Sequence, residues 1–293
     1  MLHRAVLVVI ALVLGMGASS APAQQPVPQC LAERATIVGT PGNDAITGTA
    51  AADIIHGVAG NDTIDGGAGN DVICGGDGDD TLLGNAGSDG FVGGLGNDRL
   101  DGGPGQVNAA VYIEAPGAVA ADLASGAVSG ASGNDVLVSI NTVIGSLRAD
   151  TLRGGPGGDF LVGLAGGDTL AGRGGVDILS PASGNDIVNG GGGFDYVDYG
   201  GETERLRINL GRGTAFGEGR DRLVAIEGAV GGDRADRLVG DRHQNELYGE
   251  KGNDTIEGRG GRDLLHGGPG TDDVDGGTGR DRCRAAETRS RCP

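Results

Sequence analysis

The stretch GVAGNDTIDGGAGNDVICGG, residues 57–76, repeats one pattern of nine residues almost unchanged. Each unit follows the form G-G-x-G-x-D-x-U-x, in which U is an apolar residue two positions after the aspartate. Self-similarity at a fixed period is typical of repeat proteins, in which each unit packs against its neighbours along the chain. The period of nine therefore decides the fold class before any other feature of the sequence.

The pattern continues through three runs, and none of them contains a one-residue slip. The runs cover residues 39–101, 145–198 and 231–284. Asparagine replaces the aspartate in one unit, at Asn245. The other units supply eighteen aspartates: Asp44, Asp53, Asp62, Asp71, Asp80, Asp89, Asp98, Asp150, Asp159, Asp168, Asp177, Asp186, Asp195, Asp236, Asp254, Asp263, Asp272 and Asp281.

The residue types in one unit predict a turn followed by a very short strand. Glycine tolerates positive φ, so G-G-x-G turns sharply where a side chain would clash. In the x-U-x triplet, strand alternation sends U to one face and its two neighbours to the other. Two units then form one coil of 18 residues, and no coil can bury its apolar face alone. The sequence therefore predicts an all-β fold, a parallel β-roll (β-solenoid) of stacked nonapeptide repeats.

Stacking also places the aspartates of alternate units one coil apart. Neighbouring parallel strands lie about 4.8 Å apart, and two like charges at that separation repel by roughly 3 kcal/mol at an effective dielectric of about 20. A column of such carboxylates needs a cation between its members. Calcium suits this position because it accepts carboxylates and backbone carbonyls together, whereas magnesium demands stricter geometry and should bind more weakly.

These units closely resemble the haemolysin-type, or RTX, nonapeptide calcium repeat, as in GNDTIDGGAGNDVICGG and GLGNDRLDGGPG. The resemblance implies a parallel β-roll with Ca²⁺ held between the turns of alternate units by aspartate carboxylates and backbone carbonyls. It makes the eighteen repeat aspartates candidate calcium ligands. Because several turns have lost a glycine or the carboxylate, we expect about 8–12 bound ions.

The N-terminus has the features of a secretory signal peptide. Met1–Arg4 is a short positive segment, residues 5–14 are apolar, and Ala21-Pro22-Ala23 is a cleavage site of the A-x-A kind. Residues 1–23 are therefore predicted to be a signal peptide cleaved after Ala23, and the protein is predicted to be secreted. An N-terminal cap of residues 24–38 would follow, and residues 285–293 would form a C-terminal cap.

Four cysteines are present, Cys30, Cys74, Cys283 and Cys292. An even number of cysteines in an exported chain indicates two disulfides, for which three pairings are possible. Proximity in the sequence favours Cys30–Cys74 and Cys283–Cys292, one near each end. A zinc site is the alternative, but the chain has no C-x-x-C pair.

Two β-rich inserts, residues 102–144 and 199–230, interrupt the repeats and resemble each other. Asp135 aligns with Asp221, and each precedes the next run by the same distance. Upstream, Tyr112 aligns with Tyr199. The segments VAADL and LRINL alternate apolar and polar residues, which predicts longer strands that extend the roll. We expect the inserts mainly to extend the scaffold, with ligand binding as the alternative.

Composition restricts the partners. The chain has 40 acidic and 22 basic residues, a net charge of −18, which argues against nucleic acid and anionic membranes and favours cations. It contains no H-E-x-x-H, G-x-S-x-G or P-loop motif. His56 and His266 occupy the outward ninth position of their units, where we expect them to face solvent.

These features predict a non-enzymatic, secreted, monomeric calcium-binding repeat protein that folds into a β-roll on binding Ca²⁺. The first alternative is a cell-surface or matrix adhesion protein that calcium makes rigid, with the inserts recognising polysaccharide. The second alternative is a polysaccharide-modifying enzyme, although the sequence shows no catalytic module.

Overall fold

The computed structural model describes residues 29–31, 33–284 and 288–292. The predicted signal peptide lies outside the described residues, as do parts of both predicted caps. The chain divides into two compact units, residues 1–146 and 147–293. Within the described ranges, no helix is both long enough and apolar enough to cross a membrane.

The first unit is a stack of coils, and each coil contributes strands to two sheets. Within the nonapeptide run, strands of both sheets pair in parallel with the strand 18 residues later, so that Ile55 lies beside Ile73 and Ile64 beside Leu82. The first sheet consists of Ile37–Val38, Ile54–Ala59, Val72–Asp77, Gly90–Leu95, Ala109–Val111 and Thr142–Ile144. The second consists of Ala45–Thr47, Thr63–Asp65, Thr81–Leu83, Arg99–Asp101, Val119–Asp122, Ala127–Gly130 and Gly133–Val138.

The second unit repeats this arrangement, with its strands again in two sheets. Its first sheet consists of Phe160–Val162, Ile178–Ser180, Tyr196–Asp198, Gly228–Val230, Glu246–Tyr248, Leu264–His266 and Arg282–Arg284. Its second consists of Thr151–Arg153, Thr169–Gly175, Ile187–Gly193, Arg207–Asn209, Thr214–Phe216, Arg220–Val224, Arg237–Val239, Thr255–Glu257, Asp273–Asp275 and Thr288–Ser290. Short two-residue strands pair in two of its turns, Ala165–Gly166 with Ser183–Gly184 and Gly260–Gly261 with Thr278–Gly279. A 3₁₀ turn covers Leu210–Arg212.

The core of each of the two compact units is a column of the apolar U residues of the nonapeptides. Ile55, Leu82 and Phe91 are fully buried in the first unit, as are Leu170 and Leu265 in the second. Their neighbours in each triplet are more exposed, as the alternation of strand side chains requires. The predicted all-β parallel β-roll of stacked nonapeptides is confirmed.

Both inserts extend the second sheet of their unit, but they do so as hairpins. Val119–Asp122 pairs in antiparallel fashion with Ala127–Gly130, which pairs in the same way with Gly133–Val138. In the second insert, Arg207–Asn209, Thr214–Phe216 and Arg220–Val224 repeat this meander. The alternating segments form strands as predicted, but Arg207–Asn209 is no longer than a repeat strand such as Thr63–Asp65. Periodicity alone also did not reveal that the chain reverses direction after each segment.

Each disulfide ties an end segment to the repeats. Cys30 is joined to Cys74, with 5.7 Å between their Cα atoms, and both are buried. Gln29–Cys30 also pairs with Glu33–Arg34 in a small antiparallel sheet. At the other end Cys283 is joined to Cys292, with 5.8 Å between their Cα atoms. This is the pairing that proximity in the sequence favoured, and no zinc ligand set remains among these cysteines.

The second position of the nonapeptide adopts left-handed backbone in most units. Glycine fills it in some of them, for example Gly76 with φ of 113°. Elsewhere a side chain is forced into the same conformation, as in Val58 with φ of 92° and Arg173 with φ of 77°. This conformation costs an L-residue roughly 1–2 kcal/mol, and it is least tolerable for a β-branched one. The stacked coils therefore impose the turn even where the local sequence disfavours it.

We expect Val58→Gly to raise the free energy of unfolding by about 1 kcal/mol, because glycine adopts this φ without strain. Urea denaturation at a fixed calcium concentration measures the change. Ala51→Gly is the matched control, since Ala51 lies in an exposed turn and its φ is not positive. The control substitution should lower stability slightly. An equal effect of the two substitutions would contradict strain at Val58.

Candidate metal centre

The repeat aspartates form hydrogen-bonded columns through the turns of each unit. The Oδ1 atom of most of them accepts the backbone N–H of the repeat residue 18 positions earlier, as in Asp53 to Asp71 at 2.9 Å and Asp71 to Asp89 at 2.9 Å. In the second unit Asp177 donates to Asp195 in the same way at 2.9 Å. Most of these side chains are almost fully buried, and Asp71 exposes only 1% of its surface. The predicted vertical stacking of alternate aspartates is present, and a backbone N–H mediates each contact.

The second carboxylate oxygen of most of these aspartates has no hydrogen-bond partner among the described residues. A buried polar atom left in this state costs roughly 1–3 kcal/mol, and more when it is charged. A regular series of such atoms indicates a missing ligand, because native structures leave few of them. The aspartates concerned are Asp62, Asp71, Asp80, Asp89, Asp98, Asp168, Asp177, Asp186, Asp195, Asp254, Asp263 and Asp281.

The first glycine of each unit leaves space around this oxygen. A Cβ atom placed on Gly258 would lie 2.5 Å from Asp263 Oδ2 and 2.7 Å from the carbonyl oxygen of Gly276. A side chain at this position would enter the space that the two oxygens face, and every unit begins with glycine except that of Asp186, which begins with Pro181. A carboxylate oxygen and a backbone carbonyl from the next coil therefore converge on one point, and both are hard donors of the kind that calcium takes.

A second group of repeat residues has no such open oxygen. Asp53 Oδ2 accepts the Thr49 N–H at 2.7 Å and its hydroxyl at 2.8 Å. Asp159 Oδ2 accepts the Gly155 N–H at 2.6 Å. Asp44 and Asp236 are held in the same way, by Thr40 and Gly232 respectively.

The backbone at the second position of the unit separates the two groups. In every unit whose oxygen is open this residue has left-handed φ, as in Gly67 of the Asp71 unit and Arg259 of the Asp263 unit. In the closed units the residue lacks positive φ and its N–H bonds the carboxylate, as in Thr49 and Gly155. The strained turn conformation thus accompanies an available carboxylate oxygen, in agreement with the tendency of backbone strain to gather at functional sites.

Asn245, which replaces a repeat aspartate, changes the chemistry of its column but not the stacking. Its backbone N–H donates to Asp263 Oδ1 at 2.9 Å, as an aspartate's would. Its side-chain oxygen accepts the Asp241 N–H at 2.7 Å, and its side-chain nitrogen donates to the Glu227 carbonyl at 3.1 Å. All of its polar groups are therefore occupied within the protein.

The columns continue through the inserts, a continuation that the repeat pattern did not predict. Asp98 donates its N–H to Asp135 Oδ1, and Asp186 donates to Asp221 Oδ1, both at 3.0 Å. The other column continues from Asp89 to the Asn108 side-chain oxygen at 3.0 Å. The sequence signal that could have identified Asp135 and Asp221 is that they occupy the same position in the alignment of the two inserts. Asn108 carries no signal in the repeat pattern.

In each insert a tyrosine hydroxyl donates a hydrogen bond to the second oxygen of the column aspartate. The Tyr112 hydroxyl donates to Asp135 Oδ2 at 3.0 Å, and the Tyr199 hydroxyl donates to Asp221 Oδ2 at 2.6 Å. Burial and the adjacent carboxylate raise the pKa of both tyrosines well above the ordinary value, so each hydroxyl keeps its proton. Asp135 and Asp221 therefore continue the columns without an open oxygen.

Carbonyl oxygens are necessary to any metal site in these columns. No group of three or more His, Cys, Asp or Glu side chains converges in a way that could hold a metal ion, as far as residues 29–31, 33–284 and 288–292 show. The convergence at Gly258 supplies the second kind of oxygen from the backbone. This donor set suits a hard cation such as calcium rather than zinc.

A family model of the RTX calcium-binding nonapeptide repeat matches residues 38–73, 75–106, 144–179, 165–197, 230–265 and 248–283. These matches cover more than half of the chain and fall on the three predicted runs. The chain belongs to the RTX calcium-binding nonapeptide repeat family. No curated protein matches the chain.

Burial raises the pKa of many aspartates in these RTX columns. Desolvation is the main cause and neighbouring carboxylates add to it, while the backbone N–H bond opposes both. The pKa rises to about 7 at Asp98, Asp177 and Asp254, and to about 6 at Asp71 and Asp168. The RTX columns thus resist carrying their full negative charge in the absence of a cation.

Two histidines predicted to face solvent, His56 and His266, are partly buried. His56 is half-buried rather than solvent-facing, and it lines a cleft of about 280 Å³ together with Tyr112 and Glu114. Burial lowers the pKa of His56, although Glu114 and Asp62 act in the opposite direction. His266 is also only partly exposed and stacks on Tyr248 with 6.2 Å between ring centroids.

The raised pKa values predict how the metal-free protein responds to pH. Between pH of about 4 and about 7 the folded chain binds more protons than the unfolded chain, so its stability falls as the pH rises through that window. In a chelating buffer, the folded fraction measured by circular dichroism should therefore rise when the pH is lowered from 8 to 5. A folded fraction that falls on acidification over this range would contradict the predicted desolvation of the columns.

Proposed function

We propose that this chain is a secreted calcium-binding repeat protein whose β-roll forms when multiple Ca²⁺ ions bind along the aspartate columns. The observation that carries the proposal is the series of buried Oδ2 atoms without partners, most of them beside a glycine of their own unit and a carbonyl of the next coil. Those oxygens need a counter-charge that the described protein does not supply.

The residues that would hold calcium are the repeat aspartates whose second oxygen is open. Asp53, Asp159 and the other closed aspartates would contribute only after their backbone bonds rearrange. Asn245 would contribute a weaker donor, because its amide is neutral and already bonded. The expected load of about 8–12 ions is consistent with this division.

Folding would be coupled to binding because only the stacked coils bring the oxygens together. In the unfolded chain the same carboxylates are hydrated and far apart, so the free energy of binding becomes free energy of folding. The two disulfides support an oxidising, extracellular location, where free calcium is plentiful.

Circular dichroism of the mature chain in chelator and in millimolar calcium tests this proposal. We expect a largely unfolded spectrum without calcium and a β spectrum with it, while magnesium should be much less effective. Calorimetric titration would give the number of ions. A β-roll that is fully formed in chelator and unchanged by calcium would overturn the proposal.

A pair of substitutions tests which carboxylates take part. Asp71→Asn keeps the oxygen that accepts the Asp53 N–H but removes the charge from an open Oδ2. Asp53→Asn is the matched control one coil away, where Oδ2 is already held by Thr49. The first variant should lose more bound calcium and need a higher calcium concentration to fold. Equal losses from the two would show that the open oxygens are not the ligands.

An adhesion role is the second candidate, and the second insert favours it. That insert places arginine side chains and an exposed phenylalanine on the outer face of the roll. Calcium would then act as the cofactor that makes the scaffold rigid, while the insert recognises a ligand.

A further inference from the structure

Positive charge is distributed unevenly between the two units. Only Arg4, Arg34 and Arg99 of the 22 lysines and arginines precede residue 147. The second unit carries the rest, even though its aspartate columns are as acidic as those of the first unit. Because the column carboxylates are buried, the exposed surface of the second unit is richer in positive charge than the net charge of −18 suggests.

These arginines gather in a groove on the hairpin of the second insert. The groove has a volume of about 800 Å³. Four arginines line it: Arg205, Arg207, Arg212 and Arg237. Phe216 lies among them with 41% of its surface exposed.

The strand register brings this set together. Arg207 lies directly beside Phe216 on one neighbouring strand and beside Arg237 on the other. On the next strand Arg220 pairs with Phe216, and its guanidinium carbon lies 5.5 Å from the centre of the phenylalanine ring. Guanidinium groups thus flank an exposed aromatic face, at a distance typical of a cation–π contact.

The charges in the groove are only partly compensated, since Arg205 interacts electrostatically with Asp236. No acidic side chain pairs with Arg207 or Arg212 in the part of the chain that the structure describes. Asp236, at the base of the groove, uses both oxygens to accept the backbone N–H groups of Leu206 and Gly232 at 2.8 Å. Arg237 forms an ion pair with Glu257, but half of its side chain remains exposed.

The first insert shows that the hairpin does not need these residues in order to fold. The same register there places Ala120 beside Ser129, and Ser129 beside Asn134. These three residues take the places of Arg207, Phe216 and Arg220. In the alignment of the inserts, Ala118 and Ser125 likewise stand where the second insert has Arg205 and Arg212. The scaffold is common to both inserts, and only the second bears the charged groove.

We propose that this groove is a binding site for an acidic oligosaccharide that bears carboxylate or sulfate groups. Arginine recognises such groups through paired N–H donors. The exposed Phe216 offers an apolar face to a sugar ring, and Asn209, Thr214 and Thr255 line the groove with groups able to bond hydroxyls. Nucleic acid fits less well, because a long polyanion would meet the strong negative charge of the rest of the chain.

The proposed groove site rests on the proposed calcium function in one respect only: calcium would stabilise the β-roll that carries the groove. Ligand binding is therefore measured by calorimetry in saturating calcium, with circular dichroism confirming that every variant is folded. If the roll proves to be folded in chelator, the same titration there tests the groove independently.

The test variant replaces three arginines by the residues of the first insert, Arg205→Ala, Arg207→Ala and Arg212→Ser. A control variant removes the same charge elsewhere in the second unit through Arg153→Ala, Arg262→Ala and Arg280→Ala, all at exposed positions outside the groove. The probes are a sulfated hexasaccharide, a neutral hexasaccharide and a short DNA duplex.

We expect the wild type to bind the sulfated hexasaccharide, with affinity that falls as salt is added, and to bind the neutral one weakly. The groove variant should lose at least about tenfold in affinity and the control variant much less. Equal losses of affinity in the two variants would show that only the net charge matters and would overturn the proposed site. Equal binding of the neutral sugar, tighter binding of DNA, or no binding of the sulfated sugar would also overturn it.

Discussion

The structure depends on the contact between an aspartate carboxylate and the backbone of the coil before it. One oxygen accepts the N–H of the aspartate 18 residues earlier, and this bond recurs along every run. Because donor and acceptor belong to equivalent residues of successive coils, the bond fixes the register of stacking. The other oxygen is left in a space from which solvent is excluded, and the need to neutralise it connects the fold to its cation.

That contact explains two recurring features of the turns. The first position is glycine in every unit except that of Asp186, which has Pro181, because the second carboxylate oxygen and a carbonyl face the place where a Cβ would be. The second position must adopt left-handed backbone wherever that oxygen is open, even at Val58 and Arg173. The strain is sustained because the stacked neighbours on both sides hold the turn in place.

The inserts preserve the columns while changing their chemistry. Asp135 and Asp221 accept the same backbone bond as a repeat aspartate, but Tyr112 and Tyr199 occupy the second oxygen. A hairpin is thereby added to the sheet without breaking the stacking. Since the outer face of the hairpin bears none of these contacts, it is free to vary, and the two inserts differ there in charge and aromatic content.

The sequence by itself determined the period, the coil of two units, the buried file of apolar residues and the identity of the repeat aspartates. It could do so because nine-residue spacing and strand alternation are local properties, visible in any one run. The pairing of Cys30 with Cys74 also agreed with simple proximity. Tertiary structure alone decided which carboxylate oxygens are open, because Asp53 and Asp71 occupy the same position of their units and differ only in the backbone of the turn beside them. It also decided that Asp135 continues a column and that Arg207, Phe216 and Arg237 share one face, since these contacts join residues on different strands that no period in the sequence connects.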